Sequence, residues 1–137
     1  MEPELIKEAK RWFKQAESDF NFLTVAKKSQ KYDLVCFLSQ QIAEKLIKAY
    51  LYYKGEEAIF THSIFKLCEI SSKYDTEFLK LQKKIKNLDY YYVEARYPNA
   101  LEDVIPAEFF VEDDAEHAIE MAKITMDYVR SQLSDIV

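Results

Sequence analysis

The sequence predicts an all-α fold: an up-and-down bundle of four main antiparallel helices plus a short additional helix. Three observations predict it. The 137 residues hold one glycine and three prolines, and tight β-turns depend on glycine. Apolar residues recur every three or four positions over long stretches. Hydrophobic residues make up 49% of the chain and aromatic residues 15%, so a core can form and disorder is excluded. Length alone points to a single domain spanning residues 1–137, able to bury a core without cross-links.

The first helix is expected over residues 3–29. Leu5, Ala9, Trp12, Phe13, Ala16, Phe20 and Leu23 form its inner stripe, and Pro3 suits a first turn. The second is expected over 33–54, with Asp33 as its cap and Gly55 ending it in a left-handed conformation. Its apolar arc takes in Val35, Leu38, Ile42, Leu46, Ala49 and Tyr53, and then Cys36, Ala43, Ile47 and Tyr50 further round. An arc that wide predicts packing against more than one neighbour.

A third helix is expected over about 62–74, capped by Thr61. A fourth over about 76–96 should end at Tyr97, because a residue before proline is pushed out of helical geometry. Residues 98–111 read as a loop with one short turn at "PAEFF". The last helix covers about 112–134, where Asp113 and Asp114 place negative charge at its start. Ala115, Ala118, Ile119, Ala122, Met126, Val129 and Leu133 form its inner stripe.

Net charge is −5 but uneven: residues 1–100 carry 17 Lys/Arg against 14 Asp/Glu, and residues 101–137 carry 2 against 10. An acidic chain is a poor generic ligand for nucleic acid, whose binding rests on phosphate neutralisation. A local basic surface in the first hundred residues stays open. Cys36 and Cys68 fit no metal spacing and no disulfide framework, and read as buried thiols. "MEPELIKEAKRW" is charged and amphipathic, unlike a secretory leader, and no apolar run approaches the ~20 residues of a membrane span. The expectation is a cytoplasmic protein with no membrane segment.

Several side chains are candidates for chemistry. Gln41, Glu44, Lys45 and Lys48 are spaced to share one helical face, either a solvated stripe or a wall of lysines offered to phosphates. His62 follows Thr61 at a helix start; it is structural unless a partner orients its ring. His117, in an acidic helix, reads as solvated. Arg96 and Tyr97 form the sharpest pair. Arginine presents a planar fork matched to phosphate, and tyrosine a ring on which a base can stack. Alternatively, Arg96 satisfies the last carbonyls of its helix. Tyr90, Tyr91 and Tyr92 add aromatic surface, and Lys80, Lys83, Lys84 and Lys86 either extend a basic surface or solvate a helix. One glycine supplies no phosphate-binding loop of either common type, and no Cys/His cluster suggests zinc. No metal and no cofactor is therefore expected.

These residues resemble the HEPN family, the higher eukaryotes and prokaryotes nucleotide-binding domain. "AESDFNFL" is similar to its opening Ala-Glu-x-Asp-Leu pattern, and "CFLSQQIAEKLIKA" to its Cys-Phe-x-x-Gln-Gln-x-x-Glu-Lys-x-x-Lys-Ala run. "THSIFKL" is similar to its Thr-His-x-Leu-x-x-Leu segment, "YYYVEARYP" to its Tyr-x-x-x-Arg-Tyr-Pro segment, and "DDAEHAIEMAKITMDYV" to its final helix. The resemblance implies a helical bundle, usually a homodimer, that works beside a minimal nucleotidyltransferase as a toxin–antitoxin pair or a two-subunit enzyme. It implies a non-catalytic module that binds a nucleotide or RNA, or docks a partner. Arg96, Tyr97, Asn99, Lys45, Lys48 and His62 are the expected site. Some members are metal-independent ribonucleases that carry Arg, four to six residues, then His. Here Leu101, Glu102 and Asp103 stand where that histidine falls. A ribonuclease toxin with a degenerate motif, or a purely structural docking dimer, are the alternatives.

Overall fold

A computed structural model describes residues 3–137; the first two residues of the charged amino-terminal stretch lie outside them. The fold is all-helical, as the periodicity predicts. Three long helices frame it: α1 (Pro3–Lys28), α2 (Tyr32–Tyr53) and α7 (Glu112–Gln132). Between α2 and α7 the chain forms α3 (Ile64–Ser71), α4 (Glu77–Ile85), a 3-10 turn (Lys86–Tyr90), α5 (Tyr91–Glu94) and α6 (Pro106–Phe109).

The contacts of the three long helices give their directions. Asp19 of α1 meets Lys45 of α2 and Trp12 packs on Tyr52 with ring centroids 5.6 Å apart, so α1 and α2 are antiparallel. Lys27 reaches Glu116 at 3.2 Å and Arg130 reaches Glu17 at 2.9 Å, so α7 runs antiparallel to α1. It runs parallel to α2, whose two ends donate to its two ends: Tyr32 Oη to Glu112 at 3.4 Å and Tyr53 Oη to Asp135 at 2.8 Å.

α2 is the hub. It packs against α1, α3, α5, α6 and α7, and its buried residues run round most of its circumference, from Val35 and Cys36 to Tyr50 and Leu51. This is the outcome its wide apolar arc predicts. One contiguous cluster of buried side chains extends from Phe13 to Leu133. Cys36 and Cys68 lie fully buried inside it as free thiols.

Gly55 ends α2 with φ +100°. The Glu56 N–H bonds back to the Leu51 carbonyl at 3.0 Å and the Gly55 N–H to Tyr52 at 3.0 Å, a Schellman closure that favours glycine at this position.

Local expectations are corrected at three places. The cap position of α2 is Lys31, without a side-chain cap bond, and Asp33 instead accepts from Lys31 Nζ at 3.1 Å. α3 is shorter than expected and is capped by Ser63, whose Oγ accepts from the Lys66 N–H at 3.1 Å. Thr61 supports the approach, accepting from the Ser63 N–H at 3.1 Å. The helix expected over 76–96 is broken into α4, the tighter 3-10 turn and α5, so Arg96 follows the helical segment rather than closing it. The tighter winding turns Asp89 toward the start of α3, where its carboxylate accepts from the Phe65 N–H and Ser63 Oγ at 3.0 and 3.1 Å, and from the Ile64 N–H. Those bonds satisfy backbone donors that a helix start leaves open.

Candidate functional site

The three consecutive tyrosines divide their work. Tyr91 points inward, edge-on to Phe110 with centroids 5.8 Å apart. Its phenol is pushed up to about 12, chiefly by burial and then by the neighbouring Cys36 and Asp114. Tyr90 lies 62% exposed. Tyr92 turns toward two of the expected site residues.

Arg96 sits among three rings. Its guanidinium carbon is 4.5 Å from the centroid of Tyr97, 4.7 Å from Tyr92 and 5.0 Å from Phe37 of α2. Rings at that distance hold a cation through their negative faces. Among the described residues no carboxylate pairs with this arginine, although Arg11 and Arg130 both have one. Arg96 is solvent-exposed, so its N–H donors are available to an external acceptor.

His62 stacks on the same Tyr92, centroid to centroid at 5.0 Å and 16° from parallel. The imidazole and the guanidinium are therefore no further apart than the sum of their distances to one ring. His62 Nδ1 is 3.0 Å from Glu44 Oε2. Glu44 itself is buried at 6% exposure, and Lys48 beside it at 4%. Lys48 Nζ donates to Glu44 Oε2 at 2.8 Å and Gln40 Nε2 donates to Glu44 Oε1 at 3.3 Å. Gln40 also donates to the His62 carbonyl at 3.1 Å. A buried carboxylate survives only when paired and hydrogen-bonded; here an ammonium, an amide and an imidazole satisfy it.

Lys48 is thus directed to Glu44 and to the Trp12 ring, 5.6 Å away, and not to an external phosphate. A polar stripe read from spacing cannot reveal that neighbouring elements cover it. Lys45 turns to α1, where it pairs with Asp19 and lines a shallow cleft with Arg11, Trp12 and Gln15. Asn99 is exposed on the loop and lines a separate cleft with Pro98, Leu101 and Ile105. Of the expected site, Arg96, Tyr97 and His62 come together. Tyr92, Glu44, Phe37 and Asp89 complete the assembly. Glu44 was legible only as part of the polar stripe and Tyr92 only as aromatic surface. Asp89 carried no sequence signal, since its partners lie about 25 residues away.

A small cavity of about 240 Å³ opens beside this assembly, lined by His62, Ser63, Asp89 and Tyr92. Lys83, Lys84 and Lys86 are exposed, and Lys80 is paired with Glu77. His117 is exposed on α7. No helix among the described residues is long and apolar enough to cross a membrane.

The sequence model of one family, described as HEPN domain, matches residues 9–132. A Methanocaldococcus jannaschii protein named "Putative toxin MJ1304" is 28% identical over 139 aligned residues, covering 95% of this chain and 91% of that protein. Two solved structures superpose on the fold. One is ST0689, described as an archaeal HEPN homologue, with 34% identity and a TM-score of 0.73 over 91% of this chain and 97% of that one. The other is TT1696 from Thermus thermophilus, with 26% identity and a TM-score of 0.76 over 91% of this chain and 98% of that one.

Proposed function

The chain belongs to the HEPN domain family, and from that premise we propose that it is a nucleotide-binding module whose phosphate-holding group is Arg96. The observation that carries this reading is the arginine itself: a guanidinium fixed by three rings, exposed, and without a carboxylate among the described residues. Its planar fork suits two phosphate oxygens. Tyr97, 45% exposed, offers a face for a base, and Asn99 on the same loop can hydrogen-bond a base edge. Lys45 pairs with Asp19 of α1 and offers this site no free charge. Lys48 contributes indirectly, by balancing Glu44.

In this reading the protein works as a homodimer beside a minimal nucleotidyltransferase in the cytoplasm. The family supports the nucleotidyltransferase, and the relative named as a toxin supports an antitoxin partner. Calorimetric titration with ATP, GTP, AMP and a short RNA tests the module, with Arg96→Ala alongside. Micromolar binding lost in the variant supports it. Absence of binding to all four sinks it and leaves a docking subunit.

One observation favours a second reading. His62, oriented by Glu44, stands against the same tyrosine as Arg96. It supplies an imidazole that positions 101–103 lack, as general acid–base chemistry requires. Cleavage of RNA by the purified protein in the presence of a chelator, lost in His62→Ala, would make the protein a ribonuclease.

A further inference from the structure

We propose that His62 reads the 2′-hydroxyl of a ribonucleotide whose phosphate lies on Arg96, with Glu44 as the positioning residue that equips it to do so. The proposal rests on the nucleotide-binding reading and names the sugar that the site selects.

The hydrogen-bond sense of the imidazole is set by its partner. An ionised carboxylate can only accept. Glu44 already accepts from the Lys48 ammonium at 2.8 Å, and its contact to His62 at 3.0 Å is through Nδ1. Nδ1 therefore carries the hydrogen, and Nε2 of the neutral ring is left as an acceptor. A phosphate, which brings only acceptors, gains nothing from such a nitrogen. A hydroxyl does.

The ring cannot turn away from this task without losing two contacts: the stack on Tyr92 and the bond to Glu44. Gln40 holds the His62 backbone from beneath. The side chain is nonetheless 54% exposed and lines the small cavity with Ser63, Asp89 and Tyr92.

That cavity has the size for a sugar. At about 240 Å³ it falls short of the roughly 300 Å³ at which whole-ligand pockets begin, so it takes one part of a nucleotide. The charged and titratable groups facing His62 are Glu44 and Lys48 from α2, Asp89 from the 3-10 turn, Tyr92 from α5 and, across the Tyr92 ring, Arg96. Asp89 disfavours a phosphate in the cavity. The cation without a carboxylate among the described residues lies on the Arg96 side. A ribonucleotide with its phosphate on Arg96 and its sugar at His62 matches each group to its partner.

The test is the ratio of affinities for AMP and 2′-deoxy-AMP. One hydrogen bond predicts that wild type prefers AMP by about tenfold. In His62→Phe, which keeps a ring for Tyr92 but removes both nitrogens, the ratio falls to about one. In the double variant Glu44→Gln/Lys48→Met, which leaves no buried charge without a partner, the ratio narrows while the helical circular-dichroism signal persists. Equal wild-type affinities, or a ratio that survives in His62→Phe, overturns the proposal. If both nucleotides bind equally and both are lost in Arg96→Ala, this inference falls and the nucleotide-binding reading stands. If neither binds to wild type, both fall.

Discussion

Glu44 and His62, 18 residues apart in sequence, meet at 3.0 Å between Oε2 and Nδ1. A buried carboxylate on the hub helix thereby steers an exposed ring on the loop after it. Lys48 makes this tolerable by bringing the opposite charge to the same oxygen.

Breaking that balance should be costly. Glu44→Ala leaves the Lys48 ammonium buried without its partner, and the expected loss is about 3–5 kcal/mol of unfolding free energy. The double variant Glu44→Gln/Lys48→Met should recover most of it. Urea unfolding of the three proteins checks this; similar midpoints for the single and double variants would show that the charge pair is not the cause.

Arg96→Ala should leave the fold standing. Its three ring contacts are each worth about 0.5–1 kcal/mol at an exposed site, so the melting temperature should fall by roughly 5–10 °C while nucleotide binding disappears. A collapsed fold would make Arg96 a structural residue.

Asp89→Ala should affect both properties. It removes the carboxylate that accepts from two backbone N–H groups and one hydroxyl at the start of α3, a loss of about 1–2 kcal/mol by analogy with helix caps. It also unties the 3-10 turn from the segment that carries His62. NMR of the His62 ring should then show loss of the upfield shift that stacking on Tyr92 produces.

The buried thiols give a pH signature. Burial first, then nearby carboxylates, pushes Cys36 and Cys68 up from 9.0 to about 12. The folded state therefore keeps both protonated where the unfolded chain ionises. Their contribution is fully present below about pH 9 and is lost as pH rises toward 12. Midpoints of denaturation should fall across that window, and the fall should shrink in Cys36→Ala/Cys68→Ala. At pH 8 a thiol reagent should label neither cysteine faster than the chain unfolds.

The frame of the molecule was legible because α1, α2 and α7 are long enough for their apolar period to stand out. Gly55, the short turn at "PAEFF" and the breadth of the α2 arc were read from local residues and are as expected. The break between α4 and α5 was not legible. "KNLDYYYVEA" has no proline or glycine, and its tight winding accompanies bonds from Asp89 to a helix start about 25 residues away. Within the site, Arg96, Tyr97 and His62 were visible by type. The burial of Lys48 was not, since it depends on elements that cover α2 from other parts of the chain.

The parallel run of α2 and α7 also bears on how the protein is made. The α1–α2 hairpin rests on contacts between neighbours in sequence, which form early. The contacts that flank α2 along α7 join residues 80 and 82 positions apart. During synthesis the hub helix must wait with one apolar flank uncovered until the last quarter of the chain has left the ribosome. A message cut short before α7 therefore yields a sticky hairpin that aggregates or is degraded, and a free, half-built copy of the binding site does not accumulate.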